Sequence, residues 1–190
     1  MTLPSKSLAL TLAAAAFLLT SPTAHADETA FRPGKVITEF GIIADVDTDF
    51  KIPKHTQFKI LYDTIESAEP GKVNKTLNTA ARFINMHAEA GVPTKNMKLA
   101  VVFHGKGSVD LTRNERYAQT YKGAENAPEN ANTPLIKALT ENGVRVILCG
   151  QSAAFYDIEN TDLLPNVEMA LSAMTAHAVL QQEGYTLNPF

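Results

Sequence analysis

Only one thiol is available for chemistry in this chain. Cys149 is its single cysteine. It closes the apolar run Val144-Arg145-Val146-Ile147-Leu148 and stands just ahead of Gly150-Gln151-Ser152. A lone cysteine forms no intramolecular disulfide, so any thiol chemistry runs through this residue. A helix is expected to begin near Ser152, and its N-terminal amides would point back at Cys149. Such a field favours the thiolate and draws the thiol below its free value of about 8.5. Gly150 would let a substrate approach the backbone closely. Amides at Gln151 and Ser152 would hold developing negative charge. The plain alternative is an inert core residue, since free cysteine is among the most buried side chains.

His104 follows the apolar run 99–103 and is the candidate partner for Cys149. It could hold the thiolate or shuttle its proton. The alternative is a strand-end histidine satisfied by a backbone carbonyl. Tyr62 and Asp63 follow the first core strand, which makes Asp63 a candidate for substrate contact. His55, His87 and His177 are scattered without metal-ligand spacing, so no metal site is expected. His87 and His177 fall inside expected helices, where packing or a surface position is the default. The loop His104-Gly105-Lys106-Gly107-Ser108 lacks the full P-loop spacing. Asp45, Asp47 and Asp49 open like a calcium loop, but Phe50 and Thr56 stand where glycine and glutamate are required. No GxSxG elbow, HExxH or dinucleotide fingerprint is found, and no cofactor is implied.

These residues are positioned by an alternation of strands and helices. Residues 58–62, 99–103 and 144–148 read as short apolar strands of the kind buried on both faces of a parallel sheet. Residues 72–90 read as a helix with Val73, Leu77, Ala80, Ala81, Ile84 and Ala88 on one face. Thr112-Arg113-Asn114-Glu115 reads as a capping box opening a polar helix to Tyr121. Residues 122–132 form a loop. Thr133 reads as an N-cap before Pro134, and Asn142-Gly143 ends that helix. A fourth strand is expected at 167–170, a helix from Ser172 to Glu183, and a last strand at 185–187. The pattern predicts an α/β fold, a three-layer α/β/α sandwich with a mainly parallel sheet of about five strands. The carboxyl ends of the first three strands would bring Asp63, His104 and Cys149 to one edge.

The first 26 residues read as a cleaved signal peptide. Lys6 supplies the positive start, residues 8–19 the short apolar stretch, and Ala24-His25-Ala26 the cleavage site. The mature chain would begin at Asp27 and be periplasmic or secreted, with no membrane attachment after cleavage. Residues 27–55 form an N-terminal extension with Pro33-Gly34 and Ile52-Pro53 as breakers, and residues 56–190 form one domain. The formal charge of −3 becomes one unit more negative without Lys6. There is no basic stripe or arginine cluster, which disfavours nucleic-acid binding.

Cys149-Gly150-Gln151-Ser152, Asp162-Leu163-Leu164-Pro165 and Ala170-Leu171-Ser172-Ala173 resemble the exported branch of the DsrE/DsrF-like proteins of sulfur metabolism. Val101-Val102-Phe103-His104-Gly105 and Gln181-Gln182-Glu183-Gly184-Tyr185 also fit, so the resemblance runs from about Phe58 to Phe190. It implies an α/β sandwich that assembles into homo-trimers or hexamers. It also implies that a cysteine at the position of Cys149 carries sulfur as a persulfide between a donor and an acceptor, each a protein or a small thiol. The relay members of that family are cytoplasmic and work with dedicated partner subunits, whereas this chain reads as exported. Two further readings stand beside a sulfurtransferase-like carrier. One is a non-enzymatic oligomeric module with a buried, silent cysteine. The other is a thiol redox sensor that forms mixed disulfides but no persulfide.

Overall fold

A computed structural model describes residues 30–122 and 129–189. The expected signal peptide and part of the 122–132 loop lie outside the described residues. The main sheet has five strands in the order β6-β5-β4-β3-β7, with every pairing parallel. Its strands are β3 (Phe58–Thr64), β4 (Met97–Phe103), β5 (Arg145–Cys149), β6 (Val167–Ala170) and β7 (Thr186–Asn188). Between them run α1 (Lys75–Glu89), α2 (Asn114–Thr120), α3 (Thr133–Glu141), α4 (Gly150–Phe155) and α5 (Ala173–Gln182). A small hairpin, β1 (Phe31–Arg32) with β2 (Ile43–Ala44), precedes the domain.

Handedness explains the layers. From β3 through β4 and β5 to β6 the chain steps in one direction across the sheet, and right-handed crossovers then put the intervening helices on one face. From β6 to β7 it jumps back to the far edge, so the same rule puts α5 on the opposite face. Side-chain alternation sorts the two cores accordingly. Tyr62, Leu99, Val101, Phe103, Val146 and Leu148 pack with Leu77, Ile84, Leu135 and Leu139 of α1 and α3. Leu61, Ala100, Val102 and Ile147 pack with Ala176 and Leu180 of α5. Each fully buried Leu, Ile or Val contributes about 1.5–3 kcal/mol.

Helix ends differ from expectation where side chains have other work. Asn74 caps α1 by accepting from the Thr76 amide, so the helix starts three residues after Lys72. The Thr112 hydroxyl donates to the Val109 carbonyl at 2.8 Å, and Arg113 is the N-cap of α2 without a side-chain cap bond. The capping box therefore does not form. Thr133 is the first residue of α3 and Asn132 its N-cap. Ser172 does cap α5, accepting from the Thr175 amide at 3.0 Å.

The N-terminal extension is stapled to α1 by one buried side chain. Asn85 Oδ1 accepts from the amides of Val36 at 3.3 Å and Ile37 at 2.9 Å. Its Nδ2 donates to the carbonyls of Ile37 at 2.9 Å and of Phe40 and Gly41 at 3.0 Å each. Gly34 crosses so close that any side chain there would overlap Asn85. Removing the amide strands several buried backbone groups at about 1–3 kcal/mol each. Asn85→Ala should therefore lose at least about 2 kcal/mol in urea unfolding and expose residues 36–41 to limited proteolysis. Wild-type stability in that variant would show that the staple is dispensable.

Candidate functional site

The split of the layers creates the site. β5 leaves the sheet through α4, whose Ala153 is buried in the α1/α3 core. β6 leaves through α5 toward the other face. Adjacent strands whose connections diverge leave a crevice beyond their carboxyl ends, the usual ligand position in open α/β sheets. Cys149 is the last residue of β5, paired with Ala170 of β6, and stands in that crevice. It is 5% exposed.

Helix α4 begins at Gly150, two residues earlier than the expected start near Ser152, so Cys149 itself is the N-cap. Its side chain makes no capping hydrogen bond of ordinary geometry, yet donors gather around the sulfur. Burial is the largest influence on the thiol and acts to raise its pKa. The Ser152 hydroxyl and the backbone N–H groups of Ser152, Ala173 and Gln151 together outweigh it, and the thiol lies below its ordinary value. Ser152 is fixed for this task. Its Oγ accepts from the Gly105 amide at 2.9 Å, which leaves its own proton for the sulfur. The amide of Ala173 belongs to the first turn of α5, so two helix starts converge on one atom.

Gly150 makes that convergence geometrically feasible. A Cβ there would sit 2.6 Å from the Ala170 carbonyl oxygen and 3.2 Å from that of Leu171. The space at Gly150 is thus filled by the β6–α5 linker, and the expected role in admitting a substrate is replaced by close backbone packing. The Gln151 side chain also turns to this linker, with Nε2 donating to the Leu171 carbonyl at 3.2 Å.

Asp63 lies inside β3, not beyond its end, because the strand runs on to Thr64. Alternation puts it on the Leu61 side of the sheet, facing α5. There it accepts from two imidazoles: His104 Nε2 at 3.1 Å and His177 Nε2 at 2.8 Å. His104, the first residue after β4, is therefore held by Asp63, and no histidine is among the groups that act on the Cys149 thiol. His177 was expected only to pack or lie on the surface. The signal that finds it is its position four residues after Ala173, on the stripe with Ala176 and Leu180 that meets the Leu61 side of the sheet.

A cleft of about 460 Å³ joins Asp63, His104 and His177 to Cys149 and Ser152. A wider cavity of about 660 Å³ runs along residues 64–76, but neither cysteine nor histidine lines it. Among the described residues no group of three or more His, Cys, Asp or Glu side chains is arranged to hold a metal ion.

A thiol drawn below its ordinary value thus stands in a crevice at the carboxyl edge of an all-parallel sheet. The model of the DsrE/DsrF-like family matches residues 60–189. The chain belongs to the DsrE/DsrF-like family. Solved structures share the fold at low identity. The protein of unknown function MTH1491 from Methanobacterium thermoautotrophicum aligns with a TM-score of 0.51 and 19% identity, over 70% of this chain and 100% of its own. The ychN protein from E. coli aligns with a TM-score of 0.50 and 16% identity, again over 70% and 100%. No curated protein matches the sequence. The family match begins inside β3, so the Asn85-stapled extension lies outside it.

Losing the Ser152 hydroxyl removes a donor from the thiolate and leaves burial less opposed. Ser152→Ala should move the pH midpoint of iodoacetamide alkylation of the native protein upward from the wild-type position. An unmoved midpoint would show that the amides alone set the thiol.

Proposed function

We propose that this DsrE/DsrF-like protein is an exported sulfur carrier that works through Cys149. The Cys149 thiolate attacks the outer sulfur of a persulfide donor, a new S–S bond forms as the donor's own breaks, and Cys149-S-SH results. An acceptor thiolate then takes that outer sulfur and Cys149 returns as thiolate. The observation that carries this reading is the set of hydroxyl and amide donors around Sγ, which lowers the thiol against the pull of burial. Gln151 and Ser152 contribute through the amides of α4, and burial at 5% exposure limits attack by bulky oxidants.

The test is to expose the reduced protein to an alkyl persulfide and measure mass. Wild type should gain one sulfur that reducing agent removes, and Cys149→Ser should gain none while keeping its fold. The same burial favours a second reading, a non-enzymatic oligomeric module with a silent cysteine. Alkylation of Cys149 only after denaturant is added would establish that reading and overturn the carrier.

A homo-oligomer, a trimer or hexamer, and export with cleavage before Asp27 complete the proposal. Phe155, Leu171 and Met174, on α4, the β6–α5 linker and α5, are 80%, 73% and 79% exposed. One sheet face is covered by α5 alone, whose Val179 is also exposed. Apolar surface of this kind is normally covered by a partner. Mass spectrometry of the exported protein checks both points. The denatured mass should correspond to residues 27–190 and the native mass to a multiple of three such chains. A retained residue 8–19 segment, or a monomer at micromolar concentration, would refute the respective claim.

A further inference from the structure

We propose that the His104–Asp63–His177 unit handles the proton of the molecule that exchanges sulfur with Cys149, and not the proton of Cys149 itself. The inference rests on the carrier reading and assigns an acid–base pair to it, with Asp63 as the positioning residue.

The first support is a division of labour in the site. The donors acting on the Cys149 thiol are the Ser152 hydroxyl and backbone amides. The two imidazoles line the same cleft but are tied to Asp63 instead. Sulfur exchange has two ends, and the second also needs a proton. A departing alkyl thiolate is a poor leaving group unless it is protonated, because alkyl thiols have a pKa of about 8.5.

The second support is the geometry of the carboxylate. Carboxylate oxygens accept and do not donate, so both Nε2 atoms carry their protons toward Asp63. Each Nδ1 is left as the basic atom, and neither has a protein partner among the described residues. A carboxylate that fixes the imidazole tautomer in this way is the orienting element of acid–base histidines generally. The third support is energetic. The side chains are 29% (His104), 21% (His177) and 34% (Asp63) exposed. Pairs so open to water typically add only about 0–1 kcal/mol of stability, so folding gives little reason for converging two histidines on one aspartate.

The balanced cycle is short. The Cys149 thiolate bonds to the outer sulfur of R–S–SH, the donor's S–S bond breaks, and the leaving RS⁻ takes a proton from one imidazolium. The products are Cys149-S-SH, RSH and neutral histidine. In the return step the neutral histidine takes the proton of an acceptor thiol R′SH. The thiolate R′S⁻ attacks the outer sulfur, giving R′S–SH and the Cys149 thiolate, with the imidazolium restored. No oxidant or reductant is consumed. The substrate class is an alkyl persulfide as donor and an alkyl thiol as acceptor.

The test varies the leaving group. Rates are measured for wild type, His104→Ala, His177→Ala and the double variant with three probes: an alkyl persulfide, a symmetrical alkyl disulfide and a nitro-aromatic disulfide whose thiolate leaves unprotonated. The double variant should slow about 100-fold with both alkyl probes and stay within about 2-fold of wild type with the aromatic one. Its alkylation midpoint should match wild type. Equal slowing with alkyl and aromatic probes, a shifted midpoint, or wild-type rates throughout would overturn the proposal. If wild type takes up no sulfane sulfur, the carrier reading alone fails, and the two disulfides still decide the proton-handling role.

Discussion

The pKa of the Cys149 thiol is drawn down by neutral groups, with no cation among the described residues that act on it. The groups that favour the anion are one hydroxyl and three backbone amides, all neutral, and they work against the desolvation that burial imposes. Oriented dipoles in a partly dehydrated crevice interact more strongly with charge than the same groups in water, and they need no rearrangement when the charge develops. Much of the local architecture follows from gathering these donors. Two helices must start at the sulfur, the β6–α5 linker must lie against Gly150, and Ser152 must be pinned by the Gly105 amide.

This arrangement releases the histidines from the thiol. A catalytic cysteine paired directly with histidine ties its charge state to that imidazole. Here the sulfur is served from the β5–α4 and β6–α5 turns, while the imidazoles are served from β3. Aspartate, histidines and cysteine reach one cleft from β3, the ends of β4 and β5, and α5. The parallel register aligns these ends, with Thr64 beside Phe103 and Phe103 beside Leu148.

The layers and the sheet were legible because apolar runs and helical stripes are local signals. The strand segments 58–62, 99–103, 144–148 and 167–170 each fall within, or within one residue of, the observed strands, and all four main-sheet pairings are parallel. Cys149, His104 and Asp63 could be brought to one edge from strand ends alone. His177 could not, because its partner is 114 residues away and a histidine within a helix carries no local mark of such a contact. Gly150 was misread because its need is a close backbone approach from another strand. The Thr112 and Thr133 caps were displaced for a related reason. Buried asparagines and aspartate tie the loops together there: Asn74 Nδ2 donates to Asp110, the Asn74 amide to Asn132, and Asn130 Nδ2 to the carbonyls of Asp110 and Thr112. Tertiary bonds of this kind outrank cap preferences that are worth about 1 kcal/mol.

The strand order carries a consequence for when the site comes into being. β3 is the first main-sheet strand in the chain, yet one of its neighbours is β7, the last. The bond from His177 to Asp63 and that from Lys59 to the Glu183 carbonyl span 114 and 124 residues. Closing such loops costs chain entropy before any contact rewards it, so pairings of this separation form late in folding. A chain emerging from its N-terminus can pair β3 with β4 and pack α1 on their face early. The cleft around Cys149 must wait for nearly the whole sequence. The donors that act on the sulfur lie between Gln151 and Ala173 and need no β7, whereas the imidazole side of the cleft, with His177 on Asp63, is completed only as the last helix and strand dock.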